Sequence, residues 1–318
     1  MAMIDSEAVF RVRCDAIDDT QVLRARLRAH QLTTFSKLGY ALGPPNQAPS
    51  DQEYQAFAAT IFGANATLGE SSDLRRIHFE ATTYCISALK SAIAGDQADS
   101  IRKLPVAEKV ERIEALRGRL PGVLIQGETE PSHSLIDKCQ IMYDTGSVLW
   151  LHPSTCTKRD IEIQAALKEP SQVLKIESQS LKVSTEAQAE AADHGTELKL
   201  QWCLTHRGLA MDLTNVLSWN VHRKWVQTMF SCYSSEAPSG FGKVSLQQLI
   251  RADKEMWTIM AREVSSLKPN AQGQKPLDVR VAQLQHDPRV TMHMLALPWR
   301  AAHPADDGGN ASTPLRPK

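Results

Sequence analysis

The sequence predicts a mainly α-helical protein: a helical main domain carrying a small α+β insert made of a short β-α-β unit and a β-hairpin. Apolar residues recur at three- and four-residue spacing over 73–94 and again over 195–230, the period of a helix with one buried face. Aromatic content is only 6%, which favours Leu/Ala-rich helices over a β-sandwich. β-Branched runs are short and fall within about 122–184.

The elements follow in order. Residues 5–42 read as three short helices, with Val9, Phe10 and Val12 in the first and Val22, Leu23 and Leu27 in the second. Asp19 or Thr20 is the expected cap of the second, and Thr33 of a third through Leu38 and Leu42. Residues 43–50, Gly-Pro-Pro-Asn-Gln-Ala-Pro-Ser, break the pattern, because proline lacks a backbone donor and glycine resists ordering. Asp51 opens a short helix through Tyr54, Phe57 and Ile61, and the small polar residues 63–72 read as a loop. A strong helix is expected from Asp73 to Ala94, and a charge-rich one from Val106 to Leu120, stopped by Pro121-Gly122.

The β-α-β unit is read from Val123–Ile125, a helix opened by Pro131 and running through Met142, and Val148–Leu151. Thr157 is the expected cap of a helix through Leu167. Val173–Ile176 and Leu181–Val183 bracket a hairpin turn. Thr196 caps a helix with Leu198, Trp202, Leu209 and Leu213 along one stripe, and a rotated stripe from Leu217 through Trp225 to Met229 implies a bend near Ser218. Ser245 and Gln248 form a capping-box pattern before Leu249, Ile250, Trp257 and Met260. Two short helices, parted near Pro288, close the fold. The expected organisation is a small helical module at 1–45, a linker with a short helix at 46–72, a main domain at 73–297 and a disordered tail at 298–318.

Lys+Arg and Asp+Glu balance at 36 each, so no global field marks the chain as a nucleic-acid binder, and only a local patch could serve. Six widely spaced cysteines without a CxxC pair suggest reduced thiols and an intracellular, cytoplasmic or nuclear setting. Nothing at the start resembles a secretory leader, and no apolar run is long enough for a membrane span, so a soluble protein is expected. The phosphate-binding loop, dinucleotide, zinc-protease and serine-hydrolase motifs do not occur, and no cofactor or metal is implied.

The candidate contacts for an anion or nucleic acid are three basic clusters. Lys158-Arg159 stands at a helix start, where free N–H groups add to the two cations. His222-Arg223-Lys224 is read as an exposed turn of its helix, and Arg75-Arg76 lies on the helix from Asp73. Each cluster is also an ordinary solvated helix face. Cys203 and His206 share a helix face at metal-ligand spacing, but no second pair accompanies them, so a core role is expected. His152 and Cys156 are close in sequence without the surroundings of a cysteine protease, Glu128 and Glu130 fit helix-end electrostatics, and His133 with Asp137, four apart on one helix, reads as a surface hydrogen bond. Gly208 is expected to let a neighbouring element approach closely.

Several blocks carry a resemblance: Leu120-Pro-Gly-Val-Leu-Ile-Gln-Gly127, Glu130-Pro-Ser-His133 with Leu135-Ile-Asp137, Leu151-His-Pro-Ser154, Arg159-Asp-Ile-Glu162, Arg207-Gly-Leu-Ala210, and the run from Phe241 to Asp253. Together they make most of 1–298 similar to an uncharacterised, multi-copy dinoflagellate protein family associated with retroelement-like sequences. Longer members of that set continue through a Pro/Ser-rich tail into a basic linker and a zinc-finger-like segment. This chain departs from the pattern, running from Pro298 to Lys318 with neither, which weakens a nucleic-acid role resting on such a segment. The resemblance carries no catalytic residues. It implies a non-catalytic interaction module, Gag-like or accessory to a mobile element, acting through self-association, another protein or nucleic acid, with no membrane partner. The competing readings are an enzyme of unrecognised class with its site near the β-α-β unit, and a degenerate fragment without activity.

Overall fold

The computed structural model describes residues 3–93, 103–167, 171–177, 180–186 and 191–298. It is mainly helical with a minor β component, as expected. The helices are α1 (Glu7–Ile17), α2 (Val22–Ala29), α3 (Phe35–Gly39), α4 (Asp51–Phe62), α5 (Leu68–Ile93), α6 (Val106–Arg119), α7 (His133–Thr145), α8 (Arg159–Leu167), α9 (Glu197–Leu213), α10 (Trp219–Ser234), α11 (Leu246–Glu263), α12 (Pro276–Leu284) and α13 (Pro288–Thr291). Strands β1 (Ser171–Glu177) and β2 (Ser180–Glu186) form the expected antiparallel hairpin, and β3 (Phe241–Gly242) pairs with β4 (Leu297–Pro298). The tail expected at 298–318 lies outside the described residues beyond Pro298. Among the described residues no helix is long and apolar enough to cross a membrane.

Local chemistry explains most boundaries. Ser50 and Glu53 cap α4 reciprocally, and Ser245 and Gln248 do the same for α11. Thr196 caps α9 by accepting from the Lys199 N–H. Helix α5 begins earlier than expected, at Leu68. The Glu70 carboxylate accepts from the Thr67 N–H at 2.8 Å while the Thr67 hydroxyl accepts from the Glu70 N–H at 3.2 Å, so a capping box lies inside the segment read as a loop. Neither Asp19 nor Thr20 caps α2. The Asp18 carboxylate reaches forward instead, accepting from the N–H of Thr20 at 3.0 Å and of Leu23 at 2.7 Å.

The β-α-β unit does not form. Residues 123–125 and 148–151 are irregular, and arginine side chains bond carbonyls there in place of a β-ladder. Arg117 Nε donates to the Ile125 carbonyl at 2.8 Å, and Arg207 donates to that of Leu151 at 3.4 Å. Both segments still deliver Ile125, Val148 and Leu151 into the core. The helix between them is real, with Ser132 as its cap and Pro131 just outside.

Among the described residues two hydrophobic cores form. The first joins Phe10, Cys14, Leu23, Leu27, Phe35 and Leu38 to Ala58, Ile61, Leu74, Ile77 and Ala81, so it runs across the limits expected at 45 and 73. The second draws on residues from Leu104 to Met294. Helices α1 and α6 join the two, with the Ser6 hydroxyl donating to Glu108 at 2.6 Å and Arg11 paired with Glu111 at 3.2 Å. Helix α9 is the spine of the second core. From His206 to Leu213 every residue is buried, so the helix is enclosed on all sides. Its covered face centres on Leu200, Cys203, Leu204 and Arg207, leaving Leu198 exposed and Trp202 only half-buried. The expected bend near Ser218 is a full break between α9 and α10.

Candidate functional site

The strongest chemistry in the molecule is internal. Arg207 on α9 and Asp253 on α11 meet in a bidentate ion pair, with both bonds at 2.7 Å. Arg207 is completely buried and Asp253 nearly so. The Asp253 oxygens also accept from the indole N–H of Trp150 at 2.8 Å and of Trp225 at 3.1 Å. Burial by itself would raise the Asp253 carboxyl; the Arg207 charge and these donors outweigh it and hold the group below its ordinary range. The Arg207 guanidinium lies 5.3 Å from the centre of the Trp257 ring, and its Nε donates to His222 Nε2 at 3.2 Å.

His222 is therefore not part of an exposed turn. It is 1% exposed, and burial together with the Arg207 charge pushes it down to about 3, so the ring is neutral. Because Nε2 accepts, Nδ1 carries the proton, and this buried N–H has no hydrogen-bond partner among the described residues. It lies over Gly208: a Cβ at that position would be 2.6 Å from His222 Nδ1. The close approach expected of Gly208 is thus made by an imidazole. This network was readable in part. Asp253 follows Leu249 by four residues and precedes Trp257 by four, so a lone carboxylate stands on the apolar stripe of α11, as Arg207 does on that of α9. What the stripes do not reveal is that the two face each other.

The three basic clusters divide. Lys158 is ion-paired with Glu128, and Arg159 with Glu162. The Glu162 carboxylate also accepts from the N–H groups of His133 at 2.8 Å and Ser134 at 2.9 Å, so the protein's own anion occupies the start of α7. Arg75 pairs with Asp51 at 2.8 Å and lies over the Tyr54 ring, and Arg76 is 3.6 Å from Glu80. Arg223 and Lys224 are exposed on α10 and have no ion-pair partner among the described residues.

Cys203 and His206 serve the core. His206 lies between the carbonyls of Cys156 at 3.1 Å and Glu128 at 2.7 Å, tying the ends of two loops to α9, and burial outweighs both contacts to keep its affinity for a proton low. The Cys203 thiol donates to the Asp193 carbonyl at 3.6 Å. Burial raises Cys203 to about 11 and Cys156 to about 12, far from a reactive thiolate. Among the described residues no group of three or more His, Cys, Asp or Glu side chains is placed to hold a metal ion.

One surface cavity of about 530 Å³ adjoins the core, between residues 191–195, the first turn of α11 and Ser154. Glu128, His133, His152 and Cys156, the groups that an enzymatic site would have joined, are not among its lining residues. His152 Nδ1 lies 2.7 Å from the Ser154 hydroxyl, but it also accepts from the Ser154 backbone N–H at 3.1 Å. That places the imidazole as the cap of the short 3-10 turn Pro153–Thr155. No family model, curated protein or solved structure matches the chain.

Proposed function

We propose that the chain is a non-catalytic interaction module, Gag-like or accessory to a mobile element, whose outward face on α10 contacts the phosphates of a nucleic acid. The observation that carries this reading is the pair Arg223–Lys224: adjacent, exposed cations without a carboxylate partner among the described residues. The neighbouring His222 and Trp225 are locked into the Arg207–Asp253 network, so the helix presents its cations from a fixed base. Lys158, Arg159, Arg75 and Arg76 each face a carboxylate, which favours α10 among the basic clusters. The placement beside mobile elements rests on the sequence blocks that resemble the multi-copy dinoflagellate family. A zero net charge fits weak, salt-sensitive contact better than tight binding.

The test is retention of a fluorescent single-stranded RNA at low salt by the full chain and by the double variant Arg223→Glu/Lys224→Glu. Retention by the wild type and its loss in the variant support the reading. Absence of retention, in a chain that also remains monomeric, removes both the nucleic-acid and the assembly forms of the proposal.

A further inference from the structure

His152 stands at the centre of a small cluster that ties the segment 191–195 to the second core. Its ring meets that of Trp150 at 5.2 Å and that of His194 at 5.0 Å, both edge-to-face. Its Nδ1 accepts from the Ser154 N–H, a role open only to an unprotonated nitrogen. The turn held by that bond then offers the Ser154 carbonyl to the Ala192 N–H at 2.7 Å. One residue on, the Asp193 carbonyl accepts from the buried Cys203 thiol. His194 itself is only partly buried and lines the 530 Å³ cavity with its neighbours.

We propose that His152 is a proton-operated latch: a proton on its ring releases residues 191–195 from Ser154 and from the Cys203 thiol. A proton on His152 Nδ1 turns an acceptor into a donor facing the Ser154 N–H, which removes the cap of the turn. The charges around His152 come from several elements. Asp253 and Lys254 reach it from α11, Lys254 lying 5.3 Å over the Trp150 ring, and the Arg207 guanidinium of α9 bonds the adjacent Leu151 carbonyl. His194 has Asp193 beside it, paired in turn with Lys199 of α9. Asp253 favours a charged His152, but its charge is already shared with Arg207. Burial, with His194 and Lys254, holds His152 below its ordinary value. The sign follows: the folded arrangement binds the proton less well than the released one. Docking is therefore complete above the ordinary histidine range and fades as pH falls through it.

Hydrogen exchange on the full chain at pH 7.5 and 5.5, corrected for intrinsic rates, tests the latch. The amide of Ala192, which donates to the Ser154 carbonyl, should lose protection severalfold and up to about tenfold at the lower pH, while those of Leu209 and Ala210 in α9 keep theirs. His152→Asn places an amide oxygen where Nδ1 stands and cannot titrate, so its segment should stay protected at both values. Equal protection of the wild type at the two pH values overturns the proposal, as does an equal loss in His152→Asn. Should that variant be unprotected throughout, the wild-type ring decides by NMR. His152 must then take up its proton over the same interval in which the Ala192 amide opens, and uptake without opening sinks the latch.

Discussion

Arg207 and Asp253 hold α9 and α11 together through two parallel 2.7 Å bonds from which solvent is excluded. Both partners stand on helix stripes that are otherwise apolar, so each charge depends on the other.

Removing one charge should therefore cost more than removing both. Asp253→Asn leaves a buried guanidinium uncompensated and is expected to destabilise the chain by about 3–5 kcal/mol in urea unfolding. The double variant Arg207→Met/Asp253→Leu should recover a large part of that loss. If the double variant is as unstable as the two single losses combined, the pair contributes net stability and the desolvation argument fails.

Gly208→Ala sets two effects against each other. Alanine gains about 1 kcal/mol of helix propensity over glycine. The new methyl would sit 2.6 Å from His222 Nδ1, and overpacking of this kind costs about 1–3 kcal/mol. His222 cannot yield without giving up its bond to Arg207, so a lower melting temperature is expected. A rise would show that the ring moves freely.

Acid should weaken the fold through His222. Its folded value is lowered to about 3 from the ordinary 6.5, so its contribution is complete above about 6.5 and is lost as pH falls between those values. Burial lowers His206 and His78 as well, which adds in the same direction. Unfolding free energies measured at pH 7.5 and 4.5 should differ less in His222→Gln than in the wild type.

Thiol labelling should separate one cysteine from the rest. Cys232 is the partly exposed one, whereas Cys14, Cys85, Cys139, Cys156 and Cys203 are buried. One thiol is expected to react rapidly in the native chain at pH 7.5 and all six after denaturation, and peptide mapping should place the fast label on Cys232.

Charge reversal at Arg223 and Lys224 should alter binding without altering stability, since neither side chain is buried. The slope of log affinity against log salt for single-stranded nucleic acid should shrink by about 1 for each phosphate that the variant no longer neutralises. A changed melting temperature with an unchanged slope would point to a structural role.

Periodicity, caps and turn residues settle local structure, and they are legible in the chain. Thr196 and Ser245 cap where their side chains predict, and the long apolar-periodic stretches are helices. The capping box at Thr67 and Glu70 is equally present in the sequence, although the small polar residues around it read as a loop. Short apolar runs are a different matter. Residues 123–125 and 148–151 have strand composition, yet a strand exists only where a partner offers a ladder. Here Arg117 and Arg207 bond the Ile125 and Leu151 carbonyls instead.

The candidate site divides in the same way. Neighbouring cations are visible in sequence, but the carboxylates that neutralise them are not: Lys158 meets Glu128 and Arg75 meets Asp51 only through the fold. In sequence His222 reads as one of three solvated basic residues, yet a helix turns about 100° per residue, so it can be buried while its two neighbours are exposed. The sequence by itself determined that this chain is helical, where most helices begin, and which stripes are apolar, because those depend on residues only a few positions apart. Only the tertiary structure decided that Arg207 faces Asp253, that His222 is buried over Gly208, and that Arg223 and Lys224 remain exposed. Burial and charge pairing are set by groups distant in the chain, and no local pattern records which of them will meet.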